Sequence, residues 1–212
     1  MICTAKYDNV SNSDLRLISI SDDIKKNKDL GLEVYDNFIP SDKFLDKYKN
    51  INNSSFELKK EYIKDYWNEV LSDLNPYFVI KELFHSIVVS YDNSDDLCYR
   101  HVIASWFELF LGDDIYEVVI DKEDVGVLAR PSYIKEVLED VIKSSLDMKG
   151  FNSIQALCFH ENSKVYFDEA LAYEKKNNLE MAFRMREIAE YLEETSLEIE
   201  KYYNGNVRTR KE

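Results

Sequence analysis

The residues whose types and spacing can do chemistry lie in one short run, Cys98-Tyr99-Arg100-His101. A thiol, a guanidinium and an imidazole within four positions offer a nucleophile, an anion clamp and a proton carrier. The run follows the β-branched segment Ile87-Val88-Val89-Ser90-Tyr91 and the polar loop Asp92-Asn93-Ser94-Asp95-Asp96, and it opens a helical pattern through Leu111. In open α/β sheets, ligands bind beyond the carboxyl ends of strands, where strand gives way to loop and helix. Amide donors and the helix dipole attract anions there, and the same field lowers a cysteine pKa. Cys98 and His101 are therefore the candidate catalytic residues, and Arg100 and Tyr99 the candidate contacts to a small, nucleotide-like anion. The same residue types also suit a buried thiol on an amphipathic helix and an arginine that bridges to Asp95 or Asp96. Thiol phosphatases are disfavoured: the run has no phosphate-cradling glycines, and Asp95-Asp96 repels phosphate.

Strand, loop and the segment from Cys98 to Trp106 resemble the strand, loop and Cys-His-Arg helix of the domain-of-unknown-function family numbered 488. The likeness takes in Leu17-Ile18-Ser19-Ile20-Ser21 as a second strand and the Tyr62 to Pro76 segment before the third, about residues 1–120 in all. Cys98 and Arg100 match the family's cysteine and arginine. Tyr99 stands where histidine is usual, and Asp22-Asp23 stands where the family commonly has an arginine. The resemblance implies the scaffold, and it brings no reaction with it. The two departures are those of a divergent member that kept the scaffold and lost the chemistry.

The elements that must position the cluster read as follows. Ile2 to Lys6, Leu15 to Ser21, Ile87 to Tyr91 and Tyr116 to Ile120 are strand-like, and residues 22–40 read as irregular. A short helix opens at Ser41-Asp42. A long one covers Phe56 to Leu74, and Asn75-Pro76 ends it and starts another through Phe84. Strands separated by helices predict a mostly parallel sheet with helices on both faces, a Rossmann-like three-layer α/β domain over residues 1–125. Residues 126–212 read as helical, with interruptions at Gly150 and at Asn177-Asn178. The last two helices form an antiparallel hairpin, and the final helix, Leu179 to Tyr203, has a near-heptad apolar seam with glutamates on its other faces.

The chain has 212 residues, a formal charge of -14 and a pI near 4.7. Such a balance works against direct nucleic-acid binding, which depends on neutralising phosphates. It suits either plain solubility or imitation of nucleic acid before a basic groove. Cys3, Cys98 and Cys158 are widely spaced and odd in number, which points to reduced thiols in the cytoplasm; neither a disulfide framework nor a metal motif is suggested. His85 and His160 lack partners at metal-ligand spacing. No apolar run reaches the length of a membrane span, and the N-terminal residues show no signal core. No cofactor is expected. Low glycine with much Asn, Lys, Ile and Tyr suggests an AT-rich bacterial or phage gene.

Two functional expectations follow. One is an acidic binding or regulatory protein working through protein–protein contact or self-association of its C-terminal helices, such as a phage-encoded inhibitor of a host system. The other is an enzyme or small-molecule binder acting on an anionic ligand at Cys98 and Arg100.

Overall fold

The structure, a computed structural model, describes residues 2–11, 15–93, 97–112, 114–121, 124–146 and 148–208. The chain forms two compact units: Met1–Glu108 with Asp113–Ile142, and Leu109–Gly112 with Lys143–Glu212.

The first unit is built on a six-stranded sheet of β1 (Cys3–Lys6), β2 (Arg16–Ser19), β3 (Glu33–Val34), β4 (Ser86–Ser90), β5 (Glu117–Asp121) and β6 (Asp124–Leu128). Its order is β3-β2-β4-β1-β5-β6, and every pairing is parallel except β5 with β6. The central strand β4 is buried along its whole length, which is why it reads as an unbroken apolar run. Register places Ile18, Val88, Thr4 and Glu117 side by side on one face. The opposite face carries Ala5, Ile87, Val89 and Val118, packed with Val10, Tyr7 and Leu32.

Helices of this unit are α1 (Ile24–Asp29), α2 (Asp42–Tyr48), α3 (Phe56–Tyr66), α4 (Pro76–Leu83), α5 (Tyr99–Leu111) and α6 (Tyr133–Ser145). Their starts follow local chemistry. The hydroxyls of Ser41 and Ser55 accept from the amides of Phe44 and Leu58, and the Asn75 side chain accepts from Tyr77 ahead of α4, with Pro76 in the first turn. The long helix expected from Phe56 to Leu74 becomes α3 and then a π-helical turn at Trp67–Leu71. That turn lets Trp67, Val70 and Leu71 all enter the core. Residues 22–40, expected to be irregular, contain α1 and the short β3. Asp23 caps α1, and Glu33 is held by both forks of Arg16, at 2.6 and 3.0 Å.

The expected boundary at residue 125 falls inside β6. The division lies between Ile142 and Lys143, because β5 and β6 form one antiparallel hairpin and Ile134, Leu138 and Ile142 of α6 are buried.

The second unit is α7 (Met148–Lys175) and α8 (Leu179–Arg208) with the last turn of α5. The break expected at Gly150 falls a few residues earlier: α6 ends at Ser145 and α7 begins at Met148, so Gly150 lies in the first turn of α7. One glycine costs a helix interior about 1 kcal/mol relative to alanine, which a helix of this length tolerates. The break at Asn177-Asn178 is real. Asn177 takes a left-handed φ of 57°, its amide donates to Glu174 O and the Asn178 amide to Tyr173 O. Asn178 then caps α8 by accepting from the Met181 amide. Phe159, Tyr166, Ala189 and Leu192 form the hairpin core. The basic tail at 209–212 lies outside the described residues.

Candidate functional site

β4 ends at Ser90, and α5 begins at Tyr99. Between them the chain places Leu97 and Cys98 in the interior, and the Leu97 amide is held by the Asn52 side chain at 2.7 Å. Asp95 and Asp96, the expected partners of Arg100, lie outside the described residues. Arg100 is fully buried and turned toward the sheet. Its Nη2 donates to Glu117 Oε1 at 2.9 Å and its Nε to Oε2 at 3.2 Å, a two-pronged ion pair. Nη1 reaches the Ser90 hydroxyl, which in turn donates to Asp92 at 2.9 Å. Thr4 completes the cluster by donating to Glu117 Oε2 at 2.8 Å. The guanidinium thus ties α5 to β4 and β5, and β1 joins the cluster through Glu117.

Electrostatics follow from burial. Taking the Glu117 carboxyl out of water pushes its pKa up, but Arg100, with His101 and Thr4, outweighs that and holds it below the ordinary value. Burial works against the charge on Arg100, and Cys98 and Glu117 more than restore it. His101 is buried, with Nε2 4.0 Å from Glu117 Oε2.

Cys98 reverses an expectation. The helix start was expected to lower its pKa. Burial instead pushes the thiol up to about 12, with Arg100 opposing and Asp92 adding to the rise. A thiol in that state is not a nucleophile at neutral pH. Tyr99 is also buried. It stacks on Tyr66 with centroids 5.9 Å apart, and burial, then Asp92 and Asp22, push its phenol up. The structure therefore brings all four sequence-predicted residues into one neighbourhood but gives none of them an open face. Arg100 already holds an internal carboxylate where an anionic ligand was expected.

Sequence reasoning missed Glu117, Thr4 and Ser90. The available signal was an arginine inside an apolar helix and a glutamate opening the apolar run Val118-Val119-Ile120. A charge that must be buried needs a partner of opposite sign from another element.

Glu117 also lines a cavity of about 340 Å³ together with Ser105, Glu108, Arg130 and Lys135. Its cations are taken up locally. Arg130 reaches Glu108, Lys135 approaches the same carboxylate at 3.6 Å, and the Ile115 amide donates to it at 3.1 Å. Among the described residues no group of three His, Cys, Asp or Glu is placed to hold a metal ion, and no helix is long and apolar enough to cross a membrane.

In the second unit, the side chains of Gln155 and Asn162 donate to the carbonyls of Leu109 and Leu111, the open C-terminal end of α5. The outer surface of the hairpin shows large apolar side chains. Leu179, Phe183 and Tyr191 are 65, 62 and 61% exposed, and Leu157, Leu171 and Leu197 are exposed as well.

Fold and site together define an α/β protein with a mostly parallel sheet, a buried charge cluster between α5 and the sheet, and a C-terminal helical hairpin. The chain matches no protein-family model, no curated protein and no solved structure.

Proposed function

We propose that this chain is an intracellular acidic binding protein that acts through contact with another protein, with the α7–α8 hairpin as its contact element. One observation carries the reading: the hairpin exposes six large apolar side chains, Leu157, Leu171, Leu179, Phe183, Tyr191 and Leu197, on helices that are otherwise strongly charged. Scattered single apolar residues on a surface are ordinary, whereas a concentration of them on one element marks interaction sites. The rival reading, a nucleotide-like anion held by Arg100, loses its motivation because Glu117 occupies the guanidinium and Cys98 is protonated and enclosed.

The test is co-purification from the native host with wild type and a Phe183→Asp, Tyr191→Asp variant. A protein recovered at moderate salt with wild type and lost with the variant supports the reading. Equal recovery with both, or a monomer that retains nothing, overturns it.

A further inference from the structure

Resting on that reading, we propose that the outward face of α8 is the docking surface, and that it takes a basic amphipathic helix of the partner. Leu179, Phe183, Glu187, Glu190, Glu194 and Leu197 recur at spacings of three and four, so they share one side of the helix. Tyr191 and Glu198 flank that side, and all eight are exposed. The opposite side, with Ala182, Ala189, Leu192 and Ser196, is buried. The outward stripe is thus apolar at intervals and acidic between them.

Charge decides the occupant. From Glu187 to Glu200 the helix has six glutamates and no lysine or arginine. The two arginines before that stretch are engaged on the molecule itself: Arg184 with Glu180 at 2.7 Å, Arg186 with Glu174 at 2.6 Å. Glu193 is turned to His160 and Ser163. Glu187, Glu190, Glu194 and Glu198 carry no ion pair among the described residues and project toward solvent. A second copy of this face would set those carboxylates against their own kind across a two-fold axis. A helix with an apolar stripe edged by lysine or arginine offers both complements, seating aliphatic side chains between Phe183, Tyr191 and Leu197. From Leu179 to Glu198 the surface runs roughly 28 Å, the length of a helix of about five turns.

The experiment uses the full chain and two synthetic peptides of the same Leu and Lys composition. One has its leucines on a single helical face, and the other is scrambled so that no face is apolar. Binding is read by fluorescence anisotropy at roughly 0.15 M salt. We expect the amphipathic peptide to bind and the scrambled one to bind at least about tenfold more weakly, as the hydrophobic share of a helix-in-groove contact requires. A Glu187→Gln, Glu190→Gln, Glu194→Gln, Glu198→Gln variant should weaken binding about tenfold, and a Phe183→Ala, Tyr191→Ala variant comparably. Removing four charges elsewhere, at Asp29, Asp36, Asp46 and Asp73 by Asn, should change it less than about twofold. Equal loss with either charge variant, or equal binding of both peptides, overturns the inference by showing only nonspecific attraction. A wild-type protein that binds neither peptide but dimerises in light scattering, with the Phe183→Ala, Tyr191→Ala variant monomeric, also overturns it while leaving the protein-contact reading standing. If the hairpin variants in addition leave co-purification unchanged, that reading fails with it.

Discussion

Arg100 and Glu117 carry opposite charges that neither could hold alone in the interior. Each is fully buried, and each satisfies the other through two hydrogen bonds. Breaking one side leaves an uncompensated buried charge, so Arg100→Ala should cost about 3–5 kcal/mol, while replacing both partners with apolar residues of similar volume should cost far less. Urea denaturation of the single variants and of Arg100→Met, Glu117→Leu measures the difference. The pair was chemically legible as two residues out of place, but the sequence offered no means of joining positions 100 and 117. Cys98 makes a second residue-scale prediction. With its thiol pushed up to about 12 by burial, it should resist alkylation in the native protein and react on unfolding, and mass spectrometry of labelled peptides distinguishes the two states.

At the scale of elements, the end of α5 turns on Gly112, which packs against the hairpin on its way to β5. Its φ is +74°, and a Cβ there would stand 2.9 Å from Leu192 Cδ2 and 3.0 Å from Phe159 Cζ. Gly112→Ala combines left-handed strain of about 1–2 kcal/mol with this crowding, so it should lower the melting temperature clearly. Asn177 also sits at positive φ, but in a surface turn between α7 and α8. Asn177→Gly should be neutral or slightly stabilising, since glycine takes the left-handed cap without strain. Thermal denaturation of both variants checks the contrast. Local signals found these turns because helix stops depend on a few adjacent residues. At Gly150 the same local signal placed the stop a few residues late, because a glycine only weakens a helix and is tolerated in the first turn of α7.

For the whole molecule, the buried and paired groups set the pH range of stability. Burial raises the Glu117 pKa, but Arg100, with His101 and Thr4, lowers it further, and hydrogen bonds from Arg16 and His160 lead the lowering at Glu33 and Glu193. A carboxyl depressed by folding stabilises the native state above its unfolded pKa of about 4.3, and that contribution is lost as pH falls through the folded value. On Cys98, Tyr62 and Tyr66 burial prevails, and their pKa values are raised. Their contribution is complete below the unfolded values of about 8.5 and 10 and is lost as pH rises toward the folded ones. Melting temperature should therefore be level from about pH 5 to 8 and fall on both sides. A protein whose melting point does not drop by pH 11 would show these groups to be open to solvent.

Amino-acid order by itself determined the class of fold, the central strand β4, the capped helix starts and the hairpin turn, because each depends on periodicity or on neighbours a few residues apart. It also located the Cys98 to His101 run beside the carboxyl end of a strand. Only the tertiary structure decided which way that run faces. Glu117, seventeen positions after Arg100 and on another strand, took the place of a ligand, and the short β3 and β6 existed only because neighbouring strands were there to pair with them. The charge on the outer side of α8 was readable in sequence. Its exposure was not, since which face of a helix is covered depends on what packs against it.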